Sequence, residues 1–195
     1  MTRSDGGFTI RPATPSDVLA IAETDVACWR EAYRDILPPP MLARLSVRRR
    51  AAQWSQVVAR SEKQGVDELF IATDGAGAVL GLGSCGRQRS RTFHKAGFQG
   101  EIYALYVSGA AQRRGIGTAL MQAMAHALER RGFKGLGLWV LAENGPAQLF
   151  YETLGAERLG GRKELWQGLL VLPEIGYGWR DTAALLKGKA QRRSA

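Results

Sequence analysis

The sequence predicts one α/β domain built on a mixed sheet, and three observations carry that expectation. Short strand-like runs alternate with stretches of helical spacing in the order β, two helices, β, β, β, α, β, α, β, β. Two runs, Glu101–Val107 (EIYALYV) and Leu136–Leu141, are nearly all apolar, as central strands covered on both faces should be. No internal repeat or interior linker interrupts the 195 residues, a length that suits one domain with a sizeable core.

Phe8–Arg11 (FTIR) reads as a short first strand. Thr14-Pro15-Ser16-Asp17 then starts a helix, with Thr14 as N-cap, Pro15 at the first helical position and Asp17 as the acid of a capping box. That helix should reach about Tyr33, with Val18, Ile21, Ala22, Asp25 and Cys28 or Trp29 near one stripe. Pro38-Pro39-Pro40 breaks it. A second helical stretch runs from Ser46 to about Glu62 on Val47, Ala51, Trp54 and Val58. Glu68–Thr73 and Ala78–Gly86 flank the turn Asp74-Gly75-Ala76-Gly77 as a hairpin, and Arg87–Gly97 reads as a polar loop. Ile116–Arg131 is the clearest helix: Ile116, Leu120, Met124, Ala127 and Leu128 share a face and Gly132 ends it. Pro146–Leu154 is a short helix, and Glu157–Trp166 with Leu169–Trp179 form a closing hairpin around Gln167-Gly168. The domain is expected over residues 8–186, followed by a basic tail over 187–195.

Apolar content of 45% with 23% charge is that of a globular protein rather than a disordered one. No apolar run approaches the ~20 residues of a membrane span. MTRSDGGFTI lacks an apolar signal core, so no secretion and no membrane association are expected. Cys28 and Cys85 lie far apart without metal-ligand spacing and suit a reducing cytoplasm, the expected location. His94 and His126 have no metal partners, so no metal is expected, and His126 lies off the apolar stripe of its helix. The formal charge of +9 is scattered over Arg48–Arg50, Arg87–Arg91, Arg113–Arg114 and Arg192–Arg193. No aromatic-interleaved nucleic-acid motif accompanies it, so nucleic acid is not an expected partner.

The stretch Tyr103–Met121 (YALYVSGAAQRRGIGTALM) carries the chemistry. A strand that hands over to a helix N-terminus brings unshared N–H groups and the positive end of the helix dipole together. Gly115 and Gly117 let a phosphate approach the backbone, and the guanidinium forks of Arg113 and Arg114 match phosphate oxygens. The segment therefore suits a diphosphate, against the alternative of a glycine-rich turn before a core helix. It lacks the Gly-Lys-Ser/Thr of a P-loop and the third glycine and ribose-binding acid of the dinucleotide fingerprint.

Gln112-Arg113-Arg114-Gly115-Ile116-Gly117 resembles the Q/R-x-x-G-x-G/A signature of the GCN5-related N-acetyltransferase (GNAT) superfamily. Asn144-Gly145-Pro146-Ala147-Gln148-Leu149-Phe150-Tyr151-Glu152-Thr153-Leu154-Gly155-Ala156 resembles that family's later motif, with Ala156 in place of the usual aromatic. IRPAT…D, ACWREAY and the closing YGW are also similar, so the resemblance covers nearly the whole chain.

The resemblance implies a GNAT-like fold with a mixed, mostly antiparallel sheet, splayed between two central parallel strands and flanked by helices. It implies transfer from acetyl-CoA, as co-substrate, directly to an amine. The coenzyme would lie where Glu101–Val107 parts from Leu136–Leu141. Backbone groups of Leu105, Tyr106 and Val107 would hold the pantetheine arm, and Gln112, Arg113, Arg114, Gly115, Ile116, Gly117 and Thr118 the diphosphate. Asn144, Ala147 and Phe150 would add coenzyme contacts, although Asn144 equally suits a loop cap. Glu101 matches the family's base and Tyr151 its general acid, against a solvated strand-end glutamate and a packing aromatic. Trp29 and Tyr33, four apart on one helix face, with Tyr103 and Tyr177 (or Trp179), would wall the acceptor pocket or belong to the core. Asp25, Glu31 and Asp35 would attract a cationic amine or simply meet solvent. A primary amine of a small molecule is the expected acceptor. The alternatives are a protein N-terminal or lysine amine, or a catalytically silent acyl-CoA sensor. A homodimer is compatible with the family.

Overall fold

The computed structural model describes residues 2–4, 7–64, 67–167 and 170–186; the expected Gly168 turn and the tail 187–195 lie outside the described residues. Thr2–Ser4 (β1), which periodicity does not reveal, pairs antiparallel with Phe8–Pro12 (β2). The Arg11 guanidinium then grips both oxygens of Asp17 at 2.7 Å. The same carboxylate accepts from the Thr14 N–H at 2.8 Å and its hydroxyl at 2.7 Å. Those bonds, that of Arg11 foremost, hold the Asp17 carboxyl well below the usual carboxylate range. They close a 3₁₀ turn at Pro15–Asp17 that leads into Val18–Ala32 (α1).

The proline run breaks the chain as expected, yet its second proline also opens a short helix, Pro39–Ala43 (α2), because the first turn of a helix needs no proline N–H. Val47–Gln64 (α3) follows. Glu68–Thr73 (β3) and Val79–Arg87 (β4) form the hairpin. Asp74 Oδ1 accepts from the N–H groups of Ala76 (2.9 Å) and Ala78 (2.8 Å) at its turn.

The supposed polar loop contains a helix, Arg91–Lys95 (α4). Ser90 Oγ accepts from the Phe93 N–H, and Phe93 is buried. One apolar side chain in nine residues leaves no periodicity to read, and burial of that single ring decides the conformation. Phe98–Val107 (β5), Ile116–Glu129 (α5), Gly135–Leu141 (β6), Gly145–Thr153 (α6), Glu157–Gln167 (β7), Leu170–Trp179 (β8) and Ala183–Leu186 (α7) complete the order.

The fold is mixed α/β with a mostly antiparallel sheet. Contacts group the described residues into those up to 85 with 104–124, and 86–103 with those from 125 to 186, so β4, β5 and α5 each belong partly to both groups. In the first group the strands follow the order β1-β2-β3-β4-β5. Its core sets Ile21, Ala22, Trp54 and Val58 of α1 and α3 against Leu69, Ile71 and Leu82. Each buried Ile, Leu or Val among them contributes about 1.5–3 kcal/mol.

In the second group the order is β5-β6-β8-β7, with β6–β8 and β7–β8 antiparallel. β5 and β6 are parallel from Phe98↔Gly135 to Ile102↔Leu138, and β5 runs on past that last pair to Val107. Phe93 stacks on Trp139 at 4.4 Å and 7°, beside Phe98 and Leu159. No described helix is long and apolar enough to cross a membrane.

Candidate active site

The Gln112–Thr118 turn sits in the first group. After β5 a 3₁₀ turn at Gly109–Ala111 ends on Gln112, whose N–H donates to Gly109 O and whose Nε2 donates to Val107 O, both at 3.2 Å. The Val107 carbonyl is thus already engaged. Arg113 has φ +60°, the only positive φ of a non-glycine among the described residues, and Gly115 has φ +85°. Left-handed residues in a turn are the backbone setting in which successive N–H groups line anion-binding concavities.

Ile116 is buried and anchors the helix start, while Gln112–Gly115 are exposed. The Ala119 N–H donates to Gly115 O at 3.0 Å, so the amides of Ile116, Gly117 and Thr118 are the donors that an α-helix leaves unshared. A Cβ on Gly115 would meet nothing within 4 Å of the chain, so backbone conformation is what calls for glycine there. Glu31 Oε2 accepts from the Gly109 N–H at 3.2 Å and props this turn.

In the second group Glu101 lies within β5, only 3% exposed, and is therefore not a solvated strand end. Its Oε2 accepts from the Arg89 N–H (2.7 Å) and its Oε1 from Arg89 Nη2 (3.0 Å). A carboxylate has about four acceptor sites, so two bonds leave capacity for a proton. Arg89 also lies 3.8 Å over the Tyr103 ring, and the Tyr103 hydroxyl donates to Arg87 O at 2.7 Å.

Tyr151 is buried on α6 among the rings of Phe150 (5.4 Å), Tyr177 (6.4 Å) and Trp179 (6.3 Å). Asn144 Oδ1 accepts from the Ala147 N–H at 3.2 Å, so it does cap α6, and its amide N–H₂ points the remaining chemistry of that side chain toward donation. Ala147 and Phe150 are half-buried on the same helix.

Three aromatic expectations resolve differently. Trp29 and Tyr33 do share a face, their centroids 4.7 Å apart and edge-on. Trp29 is nevertheless buried beside Tyr106. Burial pushes the Tyr106 phenol well above its usual range. Tyr177 is a correction: at 1% exposure, with its hydroxyl donating to Glu152 (2.7 Å), it fastens α6 to β8 instead of walling a pocket. Burial, then the bond to Glu152, raises its pKa.

Asp25 is a second correction, for it neither meets solvent nor offers itself to a ligand. It is fully buried, accepting from Trp54 Nε1 at 2.8 Å with Arg50 Nε at 3.6 Å, and burial raises its pKa. His126 is exposed, as its place off the stripe predicts. Both cysteines are buried thiols that form no disulfide, Cys85 Sγ–H donates to Met124 O at 3.9 Å, and burial pushes the Cys28 thiol up to about 12. No metal-binding group of three His, Cys, Asp or Glu occurs among the described residues. The sequence reading missed Arg89 as the partner of Glu101, and Phe93 as the anchor of its loop; Ser90 three residues before Phe93 was the available cap signal.

The sequence model described as "Acetyltransferase (GNAT) family" matches residues 26–156. An N-acetyltransferase of Bacillus subtilis described as uncharacterized, YuaI, is 33% identical over 177 residues, 91% of this chain and 95% of that protein. A probable N-acetyltransferase of Mycobacterium tuberculosis, Rv2775, is 30% identical over 86% of this chain and 91% of its own length. Among solved structures, the PaiA N-acetyltransferase of Thermoplasma acidophilum, in complex with coenzyme A, superposes with a TM-score of 0.66 at 15% identity, over 86% of this chain and 97% of that one. At that identity the likeness is one of fold.

Proposed function

Because this chain belongs to the GNAT acetyltransferase family, we propose that residues 8–186 transfer the acetyl group of acetyl-CoA directly to a primary amine of a small molecule. The single observation that carries the reading is the Gln112–Thr118 turn, exposed over Gln112–Gly115, where left-handed Arg113 and Gly115 precede the unshared amides of α5. Two guanidinium groups and that run of N–H donors fit a diphosphate without a metal ion. When bound, acetyl-CoA supplies the activated acetyl thioester.

The chain's own part is proton management. A lysine-like amine has a pKa of about 10.4, so at pH 7 roughly one in 2,500 is a free nucleophile, a burden of about 4.6 kcal/mol. Glu101 takes that proton at its carboxylate, which Arg89 holds in place from its backbone and its side chain. Tyr151 delivers a proton from its hydroxyl to the departing sulfur. The surrounding rings keep its side chain in one orientation. A thiol near pKa 8.5 needs only modest help of this kind, so Tyr151 contributes less than Glu101. Tyr103, whose ring lies under the Arg89 guanidinium, belongs in this reading to the wall against which the acceptor is selected. A cytoplasmic location agrees with two cysteines that form no disulfide.

Thiol release from acetyl-CoA over a broad amine panel tests the reading, alongside calorimetric titration with CoA. Glu101→Gln should lower kcat/KM by roughly 10²-fold or more, and Tyr151→Phe by about 10-fold, with CoA affinity nearly unchanged. Full rates in both variants across pH remove the assigned roles. Tight CoA binding without turnover of any amine makes the protein an acyl-CoA sensor instead.

A further inference from the structure

We propose that the acceptor carries an anionic group, a carboxylate or a phosphate, seated in a basic cleft built by residues 87–95. This deepens the acetyl-transfer reading and rests on it. Arg87, Arg89, Arg91, His94 and Lys95 stand in one nine-residue run that contains no acid. In the structure they line a cleft of about 310 Å³. Most of the formal charge of +9 is dispersed, but here cations converge on one concave surface.

The support is rigid. Phe93 is buried and stacked on Trp139, and Ser90 caps the helix beneath it. Gln88, also buried, donates Nε2–H to Gly100 O (3.2 Å) and accepts from the Ser90 N–H (3.0 Å). Basic side chains displayed on such a frame lose less freedom on binding than those of a loose loop. Arg89 is spoken for by Glu101 and Tyr103, and Arg87 lies 5.8 Å over the Phe133 ring. Arg91 and Lys95, in contrast, are exposed, and neither has an ion-pair partner among the described residues.

Two like charges four apart on a helix repel each other, and an incoming oxyanion relieves that repulsion. Because Arg89 lines the cleft and also grips Glu101, the anion site borders the carboxylate assigned to receive the amine proton. An acceptor whose anion rests on Arg91 and Lys95 is held beside that base. The same field disfavours polycationic amines.

The test uses matched acceptors that differ in the anion: O-phosphoethanolamine against ethanolamine, glutamate against its diamide, and spermidine as the polycation. kcat/KM is measured on wild type and on Arg91→Ala/Lys95→Ala. The wild type should favour the anionic member of a pair by about 10-fold or more, mostly through KM, and the double variant should bring that ratio towards one. Arg91→Lys in place of Arg91→Ala should restore part of it. Equal rates within the pairs, a preference for spermidine, or a ratio unmoved in the double variant overturns the proposal while leaving acetyl transfer intact. Transfer to no amine at all overturns the acetyl-transfer reading and this inference with it. Affinities for CoA and 3′-dephospho-CoA separate the other source of a phosphate: if the double variant weakens CoA alone, the cleft serves the coenzyme and the proposal fails. Circular dichroism and Tm establish that the variants, both at exposed positions, remain folded.

Discussion

Gly115 illustrates how one residue can be right for a reason other than the apparent one. Its place in a glycine-rich turn suggests room for a phosphate, yet the structure gives it φ +85° with open space where a Cβ would stand. A left-handed L residue costs about 1–2 kcal/mol, so Gly115→Ala should relax the turn without disturbing the buried core. We expect the CoA Kd to rise about 5–30-fold with Tm little changed; an unaltered Kd by calorimetry would remove the turn from coenzyme binding. Glu101 was legible as an acid in an apolar strand, but its bonds to Arg89 were not, because residues twelve apart meet only through the β4–β5 connection. Tyr177 misled for the opposite reason. An aromatic near the end of a strand reads the same whether it faces a ligand or the underside of a helix.

At the scale of elements, α1 and α3 are joined through a buried acid. Their apolar stripes were visible as 3.6-residue periodicity, and Ile21, Ala22, Trp54 and Val58 duly pack together. Asp25 sits in the same stripe, its Oδ2 accepting from Trp54 Nε1 and facing Arg50 while its buried Oδ1 has no hydrogen-bond partner among the described residues, and burial raises its pKa. A raised folded-state pKa means that the folded protein binds this proton more tightly than the unfolded chain does. The contribution to stability is therefore present below the unfolded pKa of about 3.9 and is lost as pH rises through the folded value. Asp25→Asn should abolish that loss. In urea unfolding from about pH 4 upward, the difference between variant and wild type should shift in favour of the variant as pH rises. Asp17, whose lowered pKa acts in the opposite sense, is common to both proteins and cancels. Parallel stability curves would show that Asp25 stays ionised in the fold. Helix α4 marks the limit of periodicity: five residues with one buried ring have no pattern to detect.

For the whole molecule, ligand binding and folding are linked by mass action. CoA at 100 times its Kd should add about 2.7 kcal/mol to stability, and for a chain of this size that raises Tm by roughly 5–10 °C. A thermal melt with and without CoA checks this, and the Gly115→Ala protein should show a smaller shift at the same CoA concentration. No shift in the wild type at saturating CoA would contradict coenzyme binding. The charge of +9, which by composition could have served nucleic acid, solubility or a small anion, finds a local use only once residues 87–95 are seen to share a cleft.

The amino-acid order by itself determined the succession of the longer strands and helices, the α/β class and the family, because periodicity, caps and the Gln112–Gly117 and Asn144–Ala156 motifs are written in neighbouring residues. Tertiary structure alone decided that Asp25 and Tyr177 are buried, that Phe93 makes a helix of a polar stretch, and that Arg89 holds Glu101. Each of those outcomes depends on burial and on partners distant in sequence, and local spacing carries no record of which side chains the fold will bring together.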